Sequence, residues 1–167
     1  DPEILARFRA RPTPEGPDDH QLHRGSYTYY ARNVKLDQYG RMSEVLNDYD
    51  AGVHEADRAV QAVIDVLREQ GRYEDALIIV TSDHGESFYD HGLWIGHGIR
   101  LTDDEIRTPL IVKLPRNERA GTREQSLVDQ VDLAPTVLDA ALAPLDELMR
   151  GTSVRKIVRG EKRARSY

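Results

Sequence analysis

Asp83 and His84 stand side by side just after the apolar run Leu77-Ile78-Ile79-Val80 and the polar pair Thr81-Ser82, and Glu86, Asp90, His91 and His97 follow them closely. Three of the six histidines fall between positions 84 and 97. A carboxylate oxygen beside an imidazole nitrogen is a donor mixture suited to a divalent cation acting as a Lewis acid. Adjacent side chains diverge in a regular strand, so Gly85 is expected to relax the backbone and let both turn toward one ion. Such a cation takes roughly four to eight donors, so Asp83 and His84 alone do not complete a site. The plainer reading is a polar loop whose histidines hydrogen-bond backbone and solvent. The histidines match no His-x-x-x-His helical pattern, and spacing alone leaves both readings open.

The elements that must position these groups can be read from periodicity. Leu77 to Val80 is apolar on both faces, as in a strand of a parallel sheet covered by helices, and ligands bind at the carboxyl ends of such strands. A second run, Leu110-Ile111-Val112-Lys113-Leu114, is bracketed by Pro109 and Pro115, which cannot donate to a ladder. Between the two lies a loop of almost thirty residues, a length that tends to carry function. Upstream, Val53, Ala56, Val60, Val63, Ile64 and Leu67 recur by threes and fours, which predicts a helix from about Ser43 to Gln70 with this face inward. Gly71 then stands where a left-handed cap would form. Asp132 is expected to cap a downstream helix carrying Leu133, Val137, Leu138 and Ala141, with Pro135 in its first turn. Residues 11–25, rich in proline and charge, read as an extended arm.

Composition bounds the function classes. The 167 residues hold 23 basic and 29 acidic side chains, a net charge of -6, which argues against a chain that coats nucleic acid. The absence of cysteine excludes a disulfide framework, a thiolate metal site and a cysteine nucleophile within the chain. The longest apolar run, Ala76 to Val80, is far short of the roughly 20 residues that span a bilayer. The opening Asp1-Pro2-Glu3-Ile4 shows no signal peptide and reads as a cut end, and the compartment stays open. Arg155 to Arg165 is a basic segment, read as solvated surface or as a partner for another part of the protein.

Thr81-Ser82-Asp83-His84-Gly85-Glu86, Asp90-His91-Gly92-Leu93-Trp94, Gly96-His97-Gly98 and Arg107-Thr108-Pro109-Leu110-Ile111-Val112 follow one another in an order and spacing that resembles the sulfatase family of the alkaline-phosphatase-like superfamily. The Tyr49 to Gly71 helix, Val131-Asp132-Leu133-Ala134-Pro135-Thr136 and Gly151-Thr152-Ser153-Val154 are similar to the family's flanking segments. The resemblance implies an α/β fold, part of a mostly parallel sheet flanked by helices and incomplete without an N-terminal half. It divides the chain into an arm and loop at 1–42, a partial catalytic domain at 43–154 and a basic segment at 155–167.

By the same resemblance, Asp83 and His84 bind a divalent metal, calcium first, with magnesium, manganese or zinc as alternatives. His97 contacts the sulfate or phosphate oxygens, although Ile95 lengthens the spacing by one residue. Glu86 and His91 stand behind these groups or serve structure alone, and Arg107 anchors the loop. The family's nucleophile, a Cys or Ser in a Cys/Ser-x-Pro-x-Arg context oxidised to formylglycine, has no counterpart in these residues. The chain therefore reads as the C-terminal part of a sulfate ester hydrolase that needs the N-terminal part as its partner. A phosphodiesterase or phosphonate monoester hydrolase on the same scaffold is the alternative, and a catalytically inactive truncated module is a third. Tyr27, Tyr29, Tyr30, Tyr39 and Tyr49 either pack against that missing part or line the substrate approach.

Overall fold

The computed structural model describes residues 1–10, 41–88, 90, 95–98 and 100–160. The arm at 11–25, Tyr27, Tyr29, Tyr30, Tyr39, His91 and the basic residues after Gly160 lie outside the described residues. The chain divides into two compact units, one of residues 1–63 and 84–108, the other of 64–83 and 109–167.

In the first unit, helix α1 (Pro2–Arg9) lies within the stretch expected to be arm and loop. Its helicity has local causes: Asp1 accepts the N–H of Glu3 at 3.0 Å, proline occupies the first turn, and Phe8 is buried. Arg9 grips Asp48 with two charge-assisted bonds of 2.7 and 2.6 Å. Asp48 belongs to helix α2 (Met42–Glu69), whose bounds agree with the periodicity. Its inward face is only partly the expected one. Met42, Val45 and Ala51 are buried, whereas Val53, Ala56 and Val63 are exposed and Val60, Ile64 and Leu67 half-buried. Tyr49 meets the ring of Phe88 edge-on at 4.7 Å.

The loop expected between the two long strands has structure of its own. Between strands β1 (Ile78–Thr81) and β4 (Leu110–Lys113) the sequence forms a short hairpin, β2 (Ser87–Phe88) and β3 (Ile95–Gly96), and a helical turn, α3 (Asp103–Ile106). The hairpin pairs Ser87 with Gly96 and Phe88 with Ile95.

In the second unit β1 and β4 pair with each other, Ile78 opposite Lys113 and Thr81 opposite Leu110, and they run antiparallel. The two runs are therefore not parallel to each other: an apolar run reports which faces are covered and carries no information about strand direction. Gly71 takes the left-handed conformation (φ 64°) that the end of α2 requires, and the N–H of Arg72 reaches back to Leu67 at 2.8 Å. The Lys113 ammonium closes the turn that follows, donating to the carbonyls of Tyr73, Glu74 and Ala76 and lying over the Tyr73 ring.

Further along, a 3₁₀ turn (Gln130–Asp132) leads into α4 (Leu133–Ala140), and α5 (Val154–Val158) follows. Asp132 does not cap α4 with its side chain as expected. Its carboxylate instead accepts the N–H groups of Asp129 at 2.9 Å and Thr152 at 2.7 Å, so it ties the turn to the segment before α5. Thr136 and Ser153 continue the network, with the N–H of Val154 on Thr136 Oγ1 at 2.8 Å and Ser153 Oγ on Asp139 at 2.6 Å. Gly151 is confined: a Cβ there would fall 1.9 Å from the carbonyl oxygen of Val131.

Among the described residues of the basic segment, Arg155 and Arg159 share a partner. Both bond Glu118, and together they hold its carboxyl below the usual range, chiefly through the Arg159 bond. Because the folded-state value is depressed, the pair stabilises fully above the ordinary carboxyl value of 4.5 and loses this as pH falls through the lower folded value. Glu118→Gln should therefore lower stability near neutrality, and its difference from the unsubstituted chain should close in acid. Thermal unfolding of both chains across that range checks this, and a pH-independent difference would contradict it.

Candidate active site

Asp83 and His84 are placed by two different sets of contacts. Asp83 lies just beyond β1, where the side-chain amide of Gln130 donates to the carbonyls of both Ser82 and Asp83, the former at 3.2 Å. Gln130 is itself in the 3₁₀ turn that Asp132 closes. The Asp83 carboxylate is exposed and lies 3.4 Å from Ser82 Oγ.

His84 belongs to the unit that also holds Glu86 and His97, and these three come together. The rings of His84 and His97 stack with centroids 3.7 Å apart and planes inclined by 29°. His97 Nδ1 lies 3.0 Å from Glu86 Oε2, and His84 Nδ1 lies 2.9 Å from the carbonyl oxygen of Gly85. A carbonyl oxygen only accepts, so His84 carries a proton on Nδ1 there, which makes Nε2 the ring atom that could ligate a metal. The Glu86 carboxylate sets the same tautomer on His97. The candidate donor atoms of His84, Glu86 and His97 all lie within 4.8 Å of one another. Two imidazoles and a carboxylate at that separation fit a divalent cation with modest adjustment, as a mixed nitrogen and oxygen set.

Glycines frame this group, and the reason differs from the one expected. Gly85 is not in the left-handed region; its lack of a side chain is what matters, because a Cβ would stand 2.0 Å from the carbonyl oxygen of Asp104. Its N–H donates to the carbonyl of Glu105 at 2.6 Å, and the N–H of Gly98, whose φ is 86°, donates to Glu105 Oε2 at 2.8 Å. Asp90 accepts the N–H of Phe88 at 2.8 Å and so serves the hairpin turn. Arg107 pairs with Asp103 at 3.5 Å within its own helical turn, both side chains largely exposed. Gln130 and Glu105 were not marked by the sequence pattern: Gln130 stands one residue before the Val131–Thr136 segment, and Glu105 ends an acidic run, Asp103-Asp104-Glu105, although its own side chain is buried.

Solved structures of alkaline-phosphatase-like fold share these elements. The chain superposes on BT4656, solved in complex with its substrate D-glucosamine-2-N,6-O-disulfate, with a TM-score of 0.65 and 26% identity, over 79% of this chain and 28% of that one. It superposes on a phosphonate monoester hydrolase from Silicibacter pomeroyi with a TM-score of 0.63 and 29% identity, over 75% of this chain and 24% of that one. Among curated proteins, the multifunctional alkaline phosphatase superfamily protein PehA of Trinickia caryophylli is 35% identical over 124 residues, 72% of this chain and 23% of PehA. A sequence model of the sulfatase family matches residues 10–143, and the chain belongs to that family. It spans less than a quarter of the length of the first curated relatives it matches. No described helix is long and apolar enough to cross a membrane.

Proposed function

We propose that the protein to which these residues belong hydrolyses sulfate esters with a divalent cation, and that this chain supplies one side of its active site. The observation that carries the reading is the convergence of His84, Glu86 and His97 directly after the strand-end Asp83. Asp83 and His84 would hold the cation together with donors from other segments, calcium first in the family pattern and magnesium, manganese or zinc as alternatives. When bound, the cation supplies Lewis-acid stabilisation of charge on the ester and on the nucleophile. His97, held through Nδ1 by Glu86, turns its Nε2 toward an anionic ester oxygen and donates to it when that nitrogen carries a proton. Glu86 orients that ring, and His91 is proposed to stand behind the same group. The nucleophile comes from a segment outside these 167 residues.

The chain on its own should therefore turn over no chromogenic aryl sulfate. Once the nucleophile-bearing segment is supplied, Asp83→Asn should lower kcat on the order of 10²-fold, equivalent to about 3 kcal/mol of lost charge stabilisation, and shift the dependence on added cation. Turnover by the isolated chain that disappears on Asp83→Ala would overturn the assignment of the nucleophile, and an Asp83→Asn enzyme with unchanged cation dependence would overturn that of the metal. A second reading, phosphonate monoester hydrolysis, draws support from the 29% identical hydrolase. A higher kcat/KM for an aryl phosphonate monoester than for the aryl sulfate would select it.

A further inference from the structure

We propose that Glu105 is the positioning residue for the stacked His84–His97 pair, an inference that rests on the reading of those two rings as working groups. Glu105 is 4% exposed and makes two contacts of one kind. Its main-chain oxygen accepts the N–H of Gly85, and its Oε2 accepts the N–H of Gly98. Each glycine is the residue directly after one of the histidines, so a single side chain and its own backbone fix the peptide that follows His84 and the peptide that follows His97. Glycines are otherwise the least constrained points of a chain. Held at these two amides, the loops bring the ring centroids to 3.7 Å.

The arrangement is costly for stability. Glu105 Oε1 is buried and has no hydrogen-bond partner among the described residues, so the side chain loses hydration at one oxygen in return for one bond at the other. An apolar residue would fill the same space more cheaply, but it could not accept from Gly98. Burying a carboxyl for that one acceptor is the mark of a group kept for geometry.

Stacked imidazoles shift each other's ring-proton resonances upfield, which gives a readout that requires neither metal nor turnover. In the full chain, with all variants compared at one fixed pH, His97→Ala should remove the upfield displacement of the His84 signals and so assign them. Glu105→Ala should abolish the displacement on both rings. Glu105→Gln, whose amide oxygen still accepts from Gly98, should keep it. A folded Glu105→Ala chain with unchanged imidazole resonances overturns the proposal. If Glu105→Ala does not fold, hydrogen exchange in the unsubstituted chain decides: equal protection of the Gly85 and Gly98 amides supports a shared clamp, and exchange of Gly98 at the rate of an open peptide overturns it. Titrating manganese into the same protein separates this from the functional reading, because His84 signals that ignore the cation would sink the metal assignment and leave the clamp standing.

Discussion

Asp132→Ala should cost the chain about 2–4 kcal/mol, lowering its unfolding midpoint by roughly 5–15 °C. Asp132 is 1% exposed, and its two carboxylate oxygens accept the N–H groups of Asp129 and Thr152. Removing the side chain leaves both donors without an acceptor, and each such donor costs about 1–3 kcal/mol where water cannot reach it, toward the low end at Asp129, which is near the surface. Asp132→Asn is the informative companion. One amide oxygen can serve one donor, while the NH₂ group confronts the other, so it should recover less than half of the loss. Thermal unfolding of the three chains tests this; a loss below about 1 kcal/mol for Ala would mean that the 3₁₀ turn and the Thr152 segment are held by apolar packing alone.

Gly85→Ala should cost about 2–4 kcal/mol by a different route, steric overpacking against backbone. The added Cβ would stand 2.0 Å from Asp104 O, 3.0 Å from Asp104 C and 3.3 Å from Glu105 C, and a peptide cannot rotate away as a flexible side chain could. The Asp103–Ile106 turn has to move outward, which breaks the Gly85 bond to Glu105. The histidine pair should unstack as well, visible in the imidazole resonances. Gly52 provides the opposite case. It lies inside α2, without a positive φ, and a Cβ added there would meet nothing within 4 Å, so Gly52→Ala should stabilise by about 0.5–1 kcal/mol. Parallel melting curves check both signs, and equal effects at the two glycines would refute the steric account.

What could be read in advance followed short-range rules. The long helix, its glycine stop and the apolar strand before Asp83 each depend on a few neighbouring residues, and all three are present. The grouping of His84, Glu86 and His97 was partly legible because they lie on one loop. Strand direction was not legible, since apolar faces look alike in β1 and β4 whichever way the chain runs. Nor were the residues that hold the site in place. Gln130 reaches Asp83 from 47 positions away, and Glu105 is an acid inside an acidic run whose burial depends on two glycine amides. Asp132 showed its importance but not its partner, because a capping residue and a long-range tether have the same sequence signature until Thr152 is located.

The Lys113 clasp bears on which positions can drift. Its ammonium takes the carbonyls of Tyr73, Glu74 and Ala76, all of them peptide oxygens that every amino acid carries. As far as this clasp is concerned, the turn between α2 and β1 is free to change its side chains at 74 and 76, with Tyr73 constrained by its ring alone. Lys113 shares the work of keeping that turn closed with the N–H of Arg116, which donates to the Glu74 carbonyl at 2.6 Å, but it is the side chain that gathers three of the turn's carbonyls, so substitutions at 113 should be tolerated less than those in the turn it secures.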